Sequence, residues 1–147
     1  FETVPPEVAG TVDRVLLIRA LHNLNRFEAQ AQTLTKALEG VSTMLKDDGL
    51  VGVVQHRAPA TASAEWADGS RGYLNQAAVI ASFEKAGFEL MAESEINANP
   101  LDQPAGDDSV WRLPPSLRGN ESDPKKQAAM LAIGETDRMT LLFRKAP

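Results

Sequence analysis

Val15-Leu16-Leu17-Ile18 is an unbroken apolar run, too short for a buried helix and made of aliphatic and β-branched side chains. Such a run predicts a strand covered on both faces, as in a parallel sheet flanked by helices. Directly after it the chain turns polar at Arg19, His22 and Asn23. Open α/β sheets bind ligands outside the carboxyl ends of their strands, so this polar end has the outline of a site edge. Past His22 the period changes: Leu34, Leu38, Val41 and Leu45 recur as one face of an amphipathic helix beginning near Thr33. Lys46-Asp47-Asp48-Gly49 is expected to stop that helix, with Gly49 as a left-handed cap. Leu50 to Val54 then predicts a second buried strand, again ending in polar residues, Gln55, His56 and Arg57. Strand, helix and strand with short links form a βαβ unit, which makes the two strands parallel neighbours.

The leading segment Phe1 to Gly10, with Pro5-Pro6, is expected as a loop. Residues 58–72 carry no period and are expected to lie over the carboxyl edge of the sheet. Asn75 caps a predicted helix 76–86 that turns Val79, Ile80 and Phe83 inward and ends at Gly87. Residues 88–96 predict a third strand and 138–144 a closing one. Between them, 97–137 is a long insert, irregular and proline-rich to 124, with one short helix over 125–133. A segment that long in a compact domain is expected to act as a lid or binding loop.

With 147 residues and 43% hydrophobic content, the chain is expected to form a single domain with a genuine core. A net charge of −5 argues against nucleic acid or an anionic membrane surface as the main partner, since both attract clustered Lys and Arg. The absence of cysteine removes disulfides, zinc-thiolate sites and thiol nucleophiles. No apolar run reaches the roughly 18 residues of a membrane span, and no signal peptide is visible. The compartment stays open, with the cytoplasm as the default. Because the first residue is Phe1 rather than Met, the chain reads as a processed protein or a fragment.

His22 and His56 are the only histidines, and both follow the ends of the two adjacent predicted strands. They are candidates for a general base or an orienting group beside a ligand. A structural role, each holding a loop carbonyl, is the competing reading, and both stay open. No His-x-x-His or His-Glu-x-x-His spacing occurs, so no metal site is assigned. Ser70 lacks the glycine two residues before it that a nucleophile elbow requires. There is no phosphate-binding Gly-x-x-x-x-Gly-Lys loop and no Gly-x-Gly-x-x-Gly. Tyr73 is followed four residues on by Ala77 rather than lysine, against a short-chain dehydrogenase. Trp66 and Trp111 are expected to cover the core or to stack on a ligand.

Four segments carry a family likeness: residues 13–24, 44–54, 83–90 and 138–144. In order and spacing they resemble the fourth to seventh strands of a class I S-adenosylmethionine-dependent methyltransferase. His56, Asn99-Pro100-Leu101-Asp102, Gly134-Glu135-Thr136-Asp137-Arg138 and Phe143-Arg144-Lys145 are similar to a bacterial group of predicted methyltransferases of unassigned substrate. The resemblance implies an α/β fold, the C-terminal half of a Rossmann-like sheet in strand order 4, 5, 7, 6 with the last strand antiparallel. It implies S-adenosylmethionine as cofactor, bordered by Arg19, Ala20, Leu21 and His22. A small-molecule acceptor would be bordered by Asn23, Arg57 and Tyr73, with His22 and His56 as catalytic groups. The family's glycine-rich turn and ribose-binding acid would lie before Phe1, and Gln55 stands where the bacterial group carries an aspartate. Pairing with that upstream half, or a homodimer, is therefore an expected partner arrangement. The alternative is a non-catalytic fragment or pseudo-enzyme that associates through its exposed sheet edge. A binder of the same fold that does not methylate is a third possibility.

Overall fold

The βαβ unit is present in the computed structural model, which describes residues 3–147. Phe1 and Glu2, at the head of the expected leading loop, lie outside the described residues. Strand β1 (Val12–Ile18) pairs in parallel with β2 (Leu45–His56), matching Leu17 to Val53 and Ile18 to Val54. Between them run two short helices, α1 (Leu21–Asn25) and α2 (Glu28–Ala31), and the amphipathic helix α3 (Thr33–Met44). Helix α4 (Gln76–Lys85) is capped by the Asn75 side chain, which accepts from the Ala78 N–H, and leads to β3 (Phe88–Ser94). Helix α5 (Pro124–Ile133), capped by Asp123, precedes β4 (Arg138–Lys145). The sheet order is β1-β2-β4-β3, with β4 antiparallel to both neighbours. Taken as the fourth, fifth, sixth and seventh strands, β1 to β4 show the expected order 4, 5, 7, 6.

One face of this sheet makes the core. Leu17, Val51, Val53, Met139, Leu141 and Phe143 alternate along three strands and pack with Leu34, Leu38 and Val41 of α3 and Val79 and Phe83 of α4. The Phe83 and Phe143 rings stack at 4.1 Å. Burying each such side chain contributes about 1.5–3 kcal/mol, so this face anchors the strand ends that carry the site.

Coverage of β1 on both faces is corrected. Leu16 and Ile18 point away from the core and are 70% and 48% exposed. β1 is the edge of the sheet, so these apolar residues mark an open face rather than a buried one. Gly49 is not a helix cap either. Helix α3 ends at Met44, Leu45 is already extended and fully buried, and β2 bulges between the Val12–Leu45 and Arg14–Leu50 pairs. A Cβ on Gly49 would lie 2.5 Å from the Leu45 side chain, so the glycine admits a close approach within the bulge.

Candidate functional site

The site begins where β1 ends. Arg19 adopts a left-handed conformation (φ 52°), uncommon for a residue with a side chain. Its N–H donates to the Val54 carbonyl at 2.7 Å, and the chain then turns into α1 with His22 in the first turn. The parallel register brings the last residue of β2, His56, to the same rim. The two imidazoles sit 5.6 Å apart, centroid to centroid, and both are buried. The expectation that the two strands run side by side and deliver both rings to one edge is met by the geometry.

The polar atoms behind the rings are neutral. The Gln55 side chain is fully buried; its Oε1 lies 3.4 Å from His22 Nδ1 and its amide donates to the Gly72 carbonyl at 2.8 Å. His56 Nδ1 pairs with the Thr136 hydroxyl at 2.6 Å. Burial pushes the His56 pKa down to about 3, helped by His22, Arg138 and Arg19 nearby. Burial also lowers the His22 pKa, with Gln55 opposing and Arg26 reinforcing the shift. Both rings are therefore neutral at pH 7.

The rings open into a cleft of about 480 Å³ walled by Trp111, Pro114, Pro115, Arg19 and Arg138. Trp111 presents its ring at 6.0 Å to His22, edge to face. Arg138 holds Glu135 at 2.6 Å through Nη2, while its buried Nε–H has no partner among the described residues. Leaving a buried donor of this kind unpaired costs about 1–3 kcal/mol.

The loop behind His22 is fitted to it. Asn25 donates to the Asp68 carbonyl at 2.7 Å, and Gly69 (φ 101°) runs so close that a Cβ there would lie 2.5 Å from the His22 carbonyl oxygen. Gly69→Ala is thus expected to lower stability by about 1–2 kcal/mol and to shift the His22 ring resonances by NMR. An unshifted His22 spectrum would show that this contact does not position the ring.

The sequence-based site residues divide by place. Arg19, His22, Asn23 and His56 line the cleft. Leu21 does not: its side chain is fully buried in the core. Ala20 is not part of the wall. Tyr73 lies beneath the cleft, fully buried, with its hydroxyl on Asp102. Arg57 faces a different, larger cleft of about 800 Å³ and is gripped by Asp137 and Glu95. That second cleft leaves no free guanidinium for a ligand.

Thr136 and Arg138 received no assigned role from sequence, though 134–138 was part of the family likeness, and Trp111 was expected only to cover the core or to stack on a ligand, with no place at this cleft. They lie more than 50 residues beyond His56 in the chain, and no local spacing ties them to it.

No family model matches the chain, and no curated protein matches it. Solved structures do. A putative methyltransferase in complex with the Haloferax volcanii Trm112 methyltransferase activator is 17% identical, with a TM-score of 0.55, over 99% of this chain and 59% of that one. The trans-methyltransferase CalH in complex with SAH (S-adenosylhomocysteine) is 18% identical at 0.51, over 95% of this chain and 31% of that one. The [4+2]-cyclase SpnF is 16% identical at 0.56, over 97% and 53%. The chain therefore spans between about a third and three-fifths of these proteins. At such identities the likeness establishes the fold and leaves the chemistry to the site.

Proposed function

We propose that this chain supplies the fourth to seventh strands of an S-adenosylmethionine-dependent methyltransferase and forms the acceptor side of its site. The observation that carries this is the cleft at the carboxyl ends of two adjacent parallel strands, beside a sheet edge left open at β1. The open edge at β1 suits a further strand, on which the rest of a nucleotide site would stand, and outward Leu16 and Ile18 suit a covering layer on that face. The residues present fit one wall of such a site. Arg19 and His22, with the Leu21 backbone, would border the methionine end of the cofactor, and Asn23 and His56 the acceptor.

When bound, S-adenosylmethionine supplies an electrophilic methyl group on a sulfonium. The task of this chain is then alignment and exclusion of water. In-line displacement gains most from fixed orientation, and the bracing of both rings against Gln55 and Thr136 provides it. Trp111, Pro114 and Pro115, from the 97–137 insert, close the apolar side. The sequence-based idea that a neutral histidine removes the acceptor proton is narrowed here. An imidazole with a pKa near 3 is a weak base at pH 7, so His56 acts as a positioning residue.

The test is calorimetry with S-adenosylmethionine on the protein carrying the upstream half. One-to-one binding that Arg19→Ala weakens several-fold is expected; absence of binding heat in a folded protein would end the methyltransferase reading.

A further inference from the structure

Resting on the methyl-transfer reading, we infer that the acceptor enters the histidine cleft as an anion, a carboxylate or an already ionised acidic hydroxyl, held by Arg138, with Arg19 standing between it and the methionine end of the cofactor. The cleft is cationic in a chain that is acidic overall. Arg19 projects into it from a left-handed turn, and its guanidinium has no carboxylate or hydrogen-bond partner among the described residues. Arg138 is only partly engaged. Its Nη2 holds Glu135, a half-exposed side chain, and its buried Nε–H is unpaired. An unsatisfied guanidinium beside a cavity binds a planar anion well, because it offers several donors in one plane.

The imidazoles support the same ligand. A histidine that works as a general base is normally backed by a carboxylate that steadies the proton it receives. Here the groups behind the rings are an amide, Gln55, and a hydroxyl, Thr136. The charged groups facing His56 are Arg138 and Arg19, and Arg26 faces His22, so a proton taken from the acceptor would be repelled. An anionic oxygen removes that need. It forms its C–O bond with its own lone pair while the C–S pair leaves to sulfur, so no proton moves and the opposite charges cancel. The flat Trp111 wall and the two prolines suit a ring or another planar body carrying the anionic group.

Carboxylate chemistry could reach Arg19 and Arg138 from two sources, the acceptor or the cofactor's own amino-acid end. The test therefore uses benzoate and its neutral isostere benzamide, each titrated into the intact protein with and without saturating S-adenosylhomocysteine. The imidazole resonances of His22 and His56 report occupancy. Benzoate is expected to shift both rings with S-adenosylhomocysteine present, and benzamide to bind at least about tenfold more weakly. Arg138→Met and Arg19→Met should each weaken benzoate. Glu135→Gln should strengthen it by releasing Arg138, an effect that no purely structural role of these residues produces. Equal binding of benzamide, an indifferent Glu135→Gln, no benzoate shift, or displacement of benzoate by S-adenosylhomocysteine would each overturn the proposal. If benzoate binds and S-adenosylhomocysteine does not, the anion site stands and methyl transfer falls.

Discussion

Asp102→Ala is expected to lower the unfolding free energy by about 3–5 kcal/mol, measured by urea denaturation at pH 7. The Asp102 side chain is fully buried and serves three partners. It accepts from Arg112 at 2.8 Å, from the Tyr73 hydroxyl at 2.9 Å, and from the Asp137 N–H at 2.9 Å. Removing it leaves a guanidinium that is only 11% exposed with the half-exposed Asp108 as its remaining carboxylate, and leaves a buried phenol and a backbone donor without their acceptor. Asp102→Asn keeps the shape and most donors' partner, so its cost should be smaller, about 1–3 kcal/mol. Because Arg112 adjoins Trp111 and Asp137 adjoins Thr136, the same substitution should broaden the His56 resonances. An Asp102→Ala protein within about 1 kcal/mol of the wild type would show that the brace is not what holds the insert to the sheet.

Acid should weaken the fold earlier than its carboxylates explain. The folded His56 pKa is depressed to about 3 from an ordinary value of 6.5, and His22 is shifted in the same direction. Between those values the unfolded chain takes up protons that the folded chain refuses, so stability falls as pH falls through this window. For His56 alone the loss reaches about 2 kcal/mol by pH 5 and about 3 kcal/mol by pH 4. The lowered carboxylates Glu28 and Glu95 add their own loss only below their ordinary 4.5, so the interval from pH 6.5 to 5 belongs to the histidines. Urea midpoints at pH 7.5, 6 and 5 should show this slope, and His56→Gln should remove most of it. A flat profile down to pH 5 would mean that the ring is solvated or charged in the folded state. Such a state would also restore His56 as a candidate base.

The anionic acceptor and the acid sensitivity have one origin. Two imidazoles are held against each other in a cleft that two guanidiniums also line, with neutral groups behind the rings. That arrangement excludes protons from the rings and welcomes negative charge between the arginines. Under the proposed reading, this chain would contribute positioning and electrostatics rather than proton removal.

Elements were legible where apolar periodicity and terminal signals agreed. The run Val15 to Ile18, the Leu34-Leu38-Val41 stripe and the Asn75 cap each specify local structure through contacts a few residues apart. The parallel neighbourhood of β1 and β2 followed from the short βαβ links, and with it the meeting of His22 and His56. The side on which β1 is exposed was not legible, because an apolar side chain reads the same whether a helix covers it or nothing does. Leu45 looked helical since it continues the stripe, yet the bulge at Gly49 claims it for the sheet. Tyr73 and Arg57 carried polar heads near the right strand ends, but the chain direction after β2 sends one under the cleft and the other to its far side. Arg138, Thr136 and Trp111 reach the cleft only because β4 folds back antiparallel to β2 and the insert is braced by Asp102. The sequence by itself determined the central part of each strand, the helices α3, α4 and α5 and the pair of imidazoles, since those depend on neighbours in the chain, but not the short helices α1 and α2. The charge around the imidazoles, and hence the chemistry the cleft favours, was decided by tertiary contacts between residues far apart in the chain, His56 and Thr136 being 80 positions apart.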